Sequence, residues 1–596
     1  MIHELQKVKD AFTKLSYILT SQQKRYSVLL FVMSIFSALF EMLGVSVILP
    51  LMQAFVSPDT LAQESYIVPF VKLFHLETSE QIIVCVCLGI TVIYLVKNLY
   101  SVIYVWVSTK FSNKIMRELS VRILSAYMKQ GYSFFVNNNS ARLLRGLGAD
   151  VQSVYTIITQ GFAFISKALT ILCITIFIIV QTPVMAIYLL MLVAFCFLLT
   201  QLIFRKSMQK YGKVGREYAF RSNQASLEAI QGSKEVLVTN RQDYFINEYL
   251  KCIMGSNKAS IRLSMGSSAP ANIIEAICVA GLMIAVAIQI IYTNNSMELL
   301  GQMATIAVAA FRILPSLGAM LSSVNALVYH APALAAAYDT LYMVKELEKE
   351  GNRYVSSADV QKKYTFQHEV RLEHITFAYP RSKEKVIDNL DMTIRKGTSV
   401  AFIGTSGAGK TTLSDIILAL LKPQSGEILM DGVNIKEVGA QWHRIIGYVP
   451  QSIYMTDSTI RRNIAFGIEE SKIDDAKIWK ALEMAQLKEF VEKLPKGLET
   501  RVGEWGVQFS GGQRQRIAIA RALYGEPDIL VLDEATAALD TETETAVMEA
   551  IEALQGYKTL IIVAHRLTTI RKCDEIYEIC GGKAVRKDKK DIFPEN

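Results

Sequence analysis

The chain changes character along its length. Its first part holds six long apolar runs, each close to the ~20 residues that a helix needs to cross the hydrocarbon core of a bilayer. Its second part is charged, and its short apolar stretches end at Gly or Asp turns. This pattern predicts an α-helical transmembrane domain of six helices followed by an α/β domain. The predicted spans are 27–56, 81–107, 156–180, 183–204, 269–292 and 299–330.

The same change in pattern predicts the domain boundaries. We expect a transmembrane domain with long cytoplasmic loops over residues 1–335, a linker over 336–367 and a soluble domain over 368–596. The composition agrees with a membrane protein. A chain of 596 residues with 51% hydrophobic content and a mean hydropathy of +0.27 exceeds one globular domain and is too apolar for an ordinary soluble protein.

The distribution of Lys and Arg predicts the orientation in the membrane. The N-terminus and the segments 108–155 and 205–265 are basic, whereas the connections on the other side contain a single cation, Lys72. By the positive-inside rule, both termini and the soluble domain lie in the cytoplasm of a multi-pass protein of the cytoplasmic membrane. The net charge of +8 resides mostly in the basic loops. No stripe of basic and aromatic residues predicts a nucleic-acid partner.

The strongest motif is GTSGAGKTT, residues 404–412, which lies between the strand-like SVAFI and the helix-like LSDIILALL. This context is typical of a phosphate-binding loop. Its three glycines let successive backbone N–H groups point at phosphates, while Lys410 reaches the β and γ oxygens and Thr411 ligates Mg²⁺. The motif therefore predicts the binding of ATP or GTP.

Two further motifs extend this prediction. The segment ILVLDEATAALD, residues 529–540, reads as a buried parallel strand that ends in two carboxylates. Asp533 would hold Mg²⁺ through water, and Glu534 would polarise the attacking water as a general base. In QFSGGQRQRIAIARAL, residues 508–523, Ser510 opens a helix whose N-terminus is a second anion site. One chain needs such a second site if it serves a nucleotide across a dimer interface.

Together these motifs carry a resemblance to a known family. Residues 368–588 resemble the nucleotide-binding domain of ATP-binding cassette (ABC) transporters, whose signature is SGGQ. The resemblance implies that Tyr379 stacks on adenine, that Gln451 senses Mg²⁺ or the attacking water, and that His565 bonds the γ-phosphate. The implied catalytic residues are Glu534, His565 and Gln451, and the implied Mg²⁺ ligands are Thr411, Gln451 and Asp533. The implied ATP contacts are Tyr379, Gly404, Thr405, Ser406, Gly407, Ala408, Gly409, Lys410, Thr411, Thr412, Gln451, Ser510, Gly511, Gly512, Gln513 and Asp540.

Six helices followed by one cassette resemble the half-transporters of the exporter class. Phe509 replaces the usual Leu before SGGQ, and Trp505 replaces the Arg of the commoner GERG, but no catalytic group is lost. The resemblance implies that two copies form two competent ATP sites, each pairing the phosphate loop of one copy with Ser510–Gln513 of the other. We therefore expect a homodimer, with a heterodimer as the alternative.

Three charged residues interrupt the apolar runs, and two interpretations of them are open. Glu41 can form an internal ion pair with Lys97 or with Arg312, which would hold helices in register. Alternatively, Lys97 and Arg312 line the cavity between the subunits and attract an anionic head group, for which Arg is the better phosphate fork.

A narrower resemblance favours the second interpretation. The pattern E-x-x-G-V-S-x-x-x-P at 41–50, the basic residue at 97 and FRILPS at 311–316 are similar to PglK-type flippases of lipid-linked oligosaccharides. This implies ATP-driven flipping of a polyprenyl-pyrophosphate oligosaccharide by alternating access, with membrane lipids and the anionic glycolipid as partners. The alternatives are a multidrug, peptide or phospholipid exporter and, because Glu534 is intact, less favourably an ATP-gated channel or regulator.

Overall fold

The computed structural model describes residues 10, 12–47, 78–181, 183–292, 296–349, 364–379, 382, 384–534, 541–564, 566 and 570–593. The chain divides into two compact units. The first comprises Met1–Gln130 and Phe135–Asn352, and the second comprises Gly131–Phe134 and Arg353–Asn596.

The first unit is helical. Its long helices continue well beyond the predicted spans: the helix that begins at Ser79 has 50 residues, about 75 Å at 1.5 Å per residue, against ~30 Å of hydrocarbon. The basic loops predicted between spans are therefore largely helix extensions, with short helices near their tips. In chain order up to Lys349, the helices are α1 Ser21–Ser46, α2 Ser79–Met128, α3 Tyr132–Asn137, α4 Ser140–Arg145, α5 Val151–Gln181, α6 Pro183–Gln231, α7 Ser233–Val238, α8 Gln242–Tyr292 and α9 Ser296–Lys349, and the first residues of α3 belong to the second unit.

Each of the six predicted spans falls on one of the long helices α1, α2, α5, α6, α8 and α9, although residues 48–56 of the first span lie outside the described residues. Within the part of the chain that the structure describes, four stretches are long and apolar enough to cross a membrane. They are Ser21–Ser46, Glu80–Met128, Ser140–Val180 and Gln242–Gly281. Helix α9 continues to Lys349, so the first part of the predicted linker 336–367 is helical.

Close helix packing in the first unit depends on glycine. A Cβ added at Gly212 of α6 would lie 2.3 Å from the backbone oxygen of Tyr329 in α9, and one added at Gly215 would lie 2.5 Å from the Tyr329 hydroxyl oxygen. The same face of α6 meets α8, because the Gly215 Cβ would lie 3.1 Å from the Cβ of Ala259. Small residues here let the backbones of three helices approach one another.

The second unit holds two sheets. One is antiparallel, in the strand order β2-β1-β4-β5, and the other has the order β10-β9-β3-β8-β7-β6. In the second sheet all neighbouring strands from β9 to β6 are parallel, and β10 pairs antiparallel with β9. The strands are β1 Glu369–Phe377, β2 Ile387–Arg395, β3 Ser399–Ile403, β4 Ser425–Met430, β5 Val433–Asn434, β6 Ile446–Val449, β7 Ile529–Asp533, β8 Thr559–Val563, β9 Glu575–Cys580 and β10 Lys583–Lys587.

Helices cover the parallel sheet, which explains its continuous apolar strands. All residues of β7 and β8 are buried, as expected when both faces of a parallel sheet are covered. The helices of this unit are α10 Lys410–Ile417, α11 Ile435–Val438, α12 Trp442–Ile445, α13 Ile460–Ile464, α14 Asp475–Met484, α15 Lys488–Glu492, α16 Gly511–Tyr524, α17 Thr541–Glu552 and α18 Lys589–Ile592.

Replacing Gly212 tests the packing of α6 against α9. We expect Gly212→Ala to destabilise the protein by about 1–3 kcal/mol, because the new methyl group meets backbone that has no rotamer with which to move away. Thermal unfolding of the full chain in detergent measures the effect. The matched control is Gly161→Ala in α5, where a Cβ meets nothing within 4 Å. Equal stability of the two variants would contradict the packing.

Candidate functional site

The site is built where parallel strands end. Phe402 of β3 pairs with Val563 of β8, Val563 pairs with Asp533 of β7, and Leu532 pairs with Val449 of β6. The carboxyl ends of these four strands therefore reach the same edge of the sheet, which is where such sheets bind ligands. The segments that leave this edge carry the phosphate loop, the two acids and Gln451.

The phosphate loop has the backbone that its glycines predict. It joins β3 to α10, and the φ angles of Gly404, Gly407 and Gly409 are +142°, +82° and +100°. Gly404 is also sterically required, because a Cβ there would lie 2.5 Å from the backbone oxygen of Ile579. The loop therefore leads directly into the N-terminus of α10, where unpaired backbone N–H groups favour the binding of an anion.

Lys410 is held against this loop. Its side chain is 5% exposed, and its Nζ donates to the backbone oxygens of Gly404 at 2.8 Å and Thr405 at 3.0 Å. Burial lowers the pKa of the Lys410 ammonium, and the carboxylates of Glu534 and Asp533 oppose that shift. The cation is thus positioned beside both acids.

Glu534 and Gln451 are in direct contact. The Gln451 Nε2 donates to the Glu534 Oε2 at 2.5 Å. Glu534 follows β7 with a φ of +47°, a region that residues other than glycine seldom adopt, and its N–H donates to the backbone oxygen of Val563 at 3.0 Å. The turn therefore aims the carboxylate of Glu534 away from the strand, next to Gln451, while the preceding Asp533 is 4% exposed.

The remaining predicted residues fall into three groups. The Tyr379 hydroxyl lies 3.1 Å from the Thr412 Oγ1 and its ring packs edge-on against Phe377, so Tyr379 borders the phosphate loop. Ser510 caps α16, accepting from the Gln513 N–H while Gln513 Oε1 accepts from the Ser510 N–H at 2.9 Å. Asp540 and His565 lie outside the described residues.

The signature motif lies apart from the phosphate loop of the same chain. In the first turns of α16, Arg514 donates to the backbone oxygen of Gly506 at 3.4 Å and Arg516 donates to the backbone oxygen of Gln486 at 2.8 Å, whereas the phosphate loop joins β3 to α10. The structure thus gathers Lys410, Asp533, Glu534 and Gln451 and leaves Ser510–Gln513 elsewhere.

In the first unit, Lys97 is in an internal ion pair. Its Nζ lies 2.6 Å from the Glu41 Oε2, and its side chain is 3% exposed. The Tyr94 hydroxyl donates to the backbone oxygen of Gly44 at 2.8 Å beside this pair. Of the two interpretations of Lys97, the structure contains the ion pair between α1 and α2. Arg312 lies on α9, and its side chain is outside the part of the structure that is described.

Comparison with known protein families places both units. Residues 10–313, more than half of the chain, match the ABC transporter transmembrane region, and residues 387–537 match the ABC transporter domain. The chain belongs to the ABC transporter family. It is a multi-pass membrane protein that uses ATP, and its enzymatic activity is ATP hydrolysis coupled to transport.

Individual relatives agree with the family. Over 480 residues, the ABC transporter is 28% identical to the ATP-dependent lipid A-core flippase of Ralstonia nicotianae, covering 80% of this chain and 79% of that protein. Over 221 residues it is 45% identical to ABC transporter B family member 21 of Arabidopsis thaliana, which is 37% of this chain and 17% of that protein. Its fold matches a bacterial Atm1-family ABC exporter solved with ATP bound, with a TM-score of 0.73, 20% identity and coverage of 93% and 95% of the two chains.

Two departures from the family pattern have structural explanations in this ABC transporter. Phe509 is 7% exposed and packs edge-on against Phe490, so the larger side chain fills core space beside the signature. Trp505 has a φ of +57°, is 54% exposed and packs edge-on against Tyr454.

A further acid near the site gave no signal in the sequence. Asp415 lies on α10, and burial, with a smaller contribution from the Asp533 carboxylate, raises its pKa to about 6. Burial, reinforced by Asp533 and Asp415, also raises the pKa of Tyr448 on β6. These shifts depend on side chains brought together by the sheet, which spacing along the chain does not reveal.

The pKa of Asp415 predicts a dependence of stability on pH. The folded protein binds a proton that the unfolded chain, with a pKa of 3.8, has released by about pH 5, so ionising Asp415 destabilises the fold as the pH rises towards 6. We expect the melting temperature of Asp415→Asn, relative to the unmodified chain, to increase between about pH 4 and pH 7. Thermal unfolding of the full chain in detergent measures it.

Asp431 supplies a control of opposite sign. Burial raises the pKa of Asp431, but its carboxylate accepts hydrogen bonds from the backbone N–H groups of Gln367, Glu369 and His368. These bonds lower the pKa of Asp431 overall. Its contribution to stability is present above the unfolded pKa and is lost as the pH falls. The melting temperature of Asp431→Asn, relative to the unmodified chain, should therefore decrease as the pH rises. Parallel curves for the two variants would rule out the assigned shifts.

Proposed function

We propose that this protein is an ATP-driven flippase that moves a polyprenyl-pyrophosphate-linked oligosaccharide across the cytoplasmic membrane as a homodimer. The observation that carries the flipping of a lipid is the similarity of this chain, along about four-fifths of both chains, to a protein named as an ATP-dependent lipid A-core flippase. The glycan cargo rests on the sequence patterns at 41–50 and 311–316. The Lys and Arg distribution supports the orientation, with both termini and the ATPase domain in the cytoplasm.

The gathered residues support a division of labour at the ATP site. The N–H groups of residues 404–412 and the Lys410 ammonium bind the β and γ phosphates, and Tyr379 offers its ring to adenine. Glu534 accepts the proton of the attacking water as general base. Gln451, already in contact with Glu534, positions that carboxylate and the water. Asp540 and His565 complete the site by family resemblance.

Mg²⁺ fits the donor set of this site. Thr411, Gln451 and Asp533 supply hydroxyl, amide and carboxylate oxygens, the ligands that Mg²⁺ prefers. When bound, the ion would neutralise charge on the β and γ phosphates. Among the described residues, no group of three or more His, Cys, Asp or Glu side chains is arranged to hold a metal ion by itself.

The separation of the two anion-binding motifs supports a dimer. Within one chain, the first turns of α16 are hydrogen-bonded to Gly506 and Gln486 through Arg514 and Arg516, whereas the phosphate loop joins β3 to α10. A second copy related by a two-fold axis can present its Ser510–Gln513 to the phosphate loop, and symmetry then makes two equal sites. Closure of these sites by ATP and reopening after hydrolysis would drive alternating access of the membrane part.

The anionic head group of the proposed cargo is matched to Arg312. In the sequence, Arg312 falls within the apolar run 307–320. A permanent cation in such a run requires protein, water or an anion as a partner. A pyrophosphate with several sugars cannot cross ~30 Å of hydrocarbon unaided, so it needs such a path. Lys97 is the second candidate, and contact with cargo would require it to leave Glu41.

The ion pair of Lys97 also favours a second candidate function. If both membrane cations are satisfied internally, the cavity has no fixed charge for a phosphate. The protein would then export a drug, a peptide or an ordinary phospholipid with the same ATPase cycle. An ATP-gated channel is less favoured, because Glu534 is intact and is held by Gln451.

ATP hydrolysis in liposomes, with and without a polyprenyl-pyrophosphate oligosaccharide, tests the cargo. We expect the glycolipid to stimulate hydrolysis by the unmodified chain and expect Arg312→Ala to lose that stimulation while keeping basal hydrolysis, because the phosphate fork is gone. Arg312→Lys should retain part of it, since it keeps the charge but not the fork. Glu534→Gln, which lacks the base, should lose ~10²-fold or more of hydrolysis in every condition.

Lys97 variants separate cargo binding from folding. Lys97→Ala removes the cation of a buried ion pair, which costs about 3–5 kcal/mol in stability, whereas the double variant Lys97→Met with Glu41→Gln removes both charges together and avoids that penalty. If the double variant is stable and still responds to the glycolipid, Lys97 is structural. If the glycolipid has no effect on the unmodified chain while a phospholipid, peptide or drug stimulates it, the glycolipid assignment fails.

A further inference from the structure

The interior of α8 contains a break in its hydrogen bonding. Pro270 lies inside this helix and has no N–H, so the carbonyl of Gly266, four residues earlier, lacks the donor that an α-helix supplies. Gly266 and Pro270 are both buried. A buried carbonyl needs another partner, and an internal proline is where long helices bend.

The missing donor comes from another helix. Asn325 of α9 is 2% exposed, and its Nδ2 donates to the backbone oxygen of Gly266 at 2.6 Å. Thus a side chain 59 residues away replaces the bond that Pro270 removes. The amide oxygen of Asn325, Oδ1, is also buried, and it has no hydrogen-bond partner among the described residues. Buried polar atoms are normally paired, so this arrangement satisfies half of the amide.

The break lies between two well-packed parts of α8. On the membrane side, Ile274 joins Leu317 and Leu321 in a buried cluster, and Gly318 of α9 is so close to Ala271 that an added Cβ would lie 2.7 Å from the Ala271 Cβ. On the cytoplasmic side, Ala259 is fully buried near Gly215 of α6. The break also coincides with the start of the predicted span at 269. It therefore joins the cytoplasmic extension of α8 to its membrane-spanning part.

We propose that Gly266, Pro270 and Asn325 form a hinge at which α8 bends during the ATP cycle, with Asn325 as the positioning residue that controls the bending. The helix can bend here without breaking one of its own backbone hydrogen bonds, because the one that Pro270 would donate is already absent. A second arrangement in which Oδ1 gains a donor compensates for loosening the bond to Gly266. The hinge rests on the ATP-driven transport of the proposed function and is independent of its cargo.

The first test asks whether Asn325 acts through the proline. Asn325→Ala should lower the melting temperature of the full chain, and Pro270→Ala should abolish that effect, because the alanine supplies its own backbone N–H to the Gly266 carbonyl. The matched controls are Asn257→Ala, at an exposed position on α8, and Pro332→Ala, at a helix-internal proline of α9. Pro332→Ala should leave the effect of Asn325→Ala intact. Additive effects of Asn325→Ala and Pro270→Ala would overturn the hinge.

The second test measures the bend itself, which a static contact would not change. Spin labels at Lys258 and Val279, exposed positions on either side of the break, report a distance across it by pulsed electron paramagnetic resonance in nanodiscs. We expect this distance to shift when a non-hydrolysable ATP analogue binds. We expect Asn325→Ala to broaden the distribution and Pro270→Ala to give one long distance in both conditions.

A distance that is the same with and without nucleotide, in a protein that binds the analogue, would make the contact static and overturn the proposal. Because the measurement needs no lipid cargo, failure of the glycolipid assignment leaves it unaffected. Basal ATP hydrolysis gives a further check. Asn325→Ala should reduce the rate of basal hydrolysis by about five-fold, which corresponds to the net contribution of one ordinary hydrogen bond. Asn257→Ala should leave that rate unchanged.

Discussion

The ATP site depends on the register of four parallel strands. Hydrogen bonds between β6, β7, β8 and β3 fix which residues end the strands together, and those residues carry the phosphate loop, both acids and Gln451. A slip of one residue in β7 would bring Asp533 to the opposite face of the sheet. The positions of these side chains are therefore only as well defined as the hydrogen-bonded strands that carry them, and β7 and β8 are buried throughout.

Each of the two units contains a buried lysine whose charge must be stabilised away from water. Lys410 is surrounded by backbone oxygens of its own loop, with two carboxylates nearby, and Lys97 is paired with Glu41. The two lysines differ in how easily they can leave these partners to bind a ligand. Loop carbonyls can release Lys410 to a phosphate at small cost, whereas moving Lys97 breaks a buried ion pair in the membrane part. This difference favours Lys410 as a ligand-binding cation and makes Arg312 the stronger candidate for cargo.

Much of this organisation could be predicted from the sequence where the signal is local. The glycines of residues 404–412 specify their own backbone, and ILVLD specifies a buried strand with acids at its end. The contacts that were not predictable join distant residues. Lys97 could pair with Glu41 or with cargo, Asn325 shows no relation to Pro270 along the chain, and the raised pKa of Asp415 requires Asp533 to be placed beside it. The helical start of the linker was missed because its charged residues are also typical of loops.

In the proposed homodimer, each ATP site requires two copies of this chain. The most direct test mixes two inactive variants in one membrane: Lys410→Ala, which lacks the phosphate-binding cation, and Ser510→Arg, which blocks the signature. Each variant alone should hydrolyse almost no ATP. Mixed dimers contain one site with an intact loop from one copy and an intact signature from the other, so co-expression should restore hydrolysis. If the co-expressed and co-purified pair is as inactive as either variant alone, the ATP site does not form between two copies of this chain.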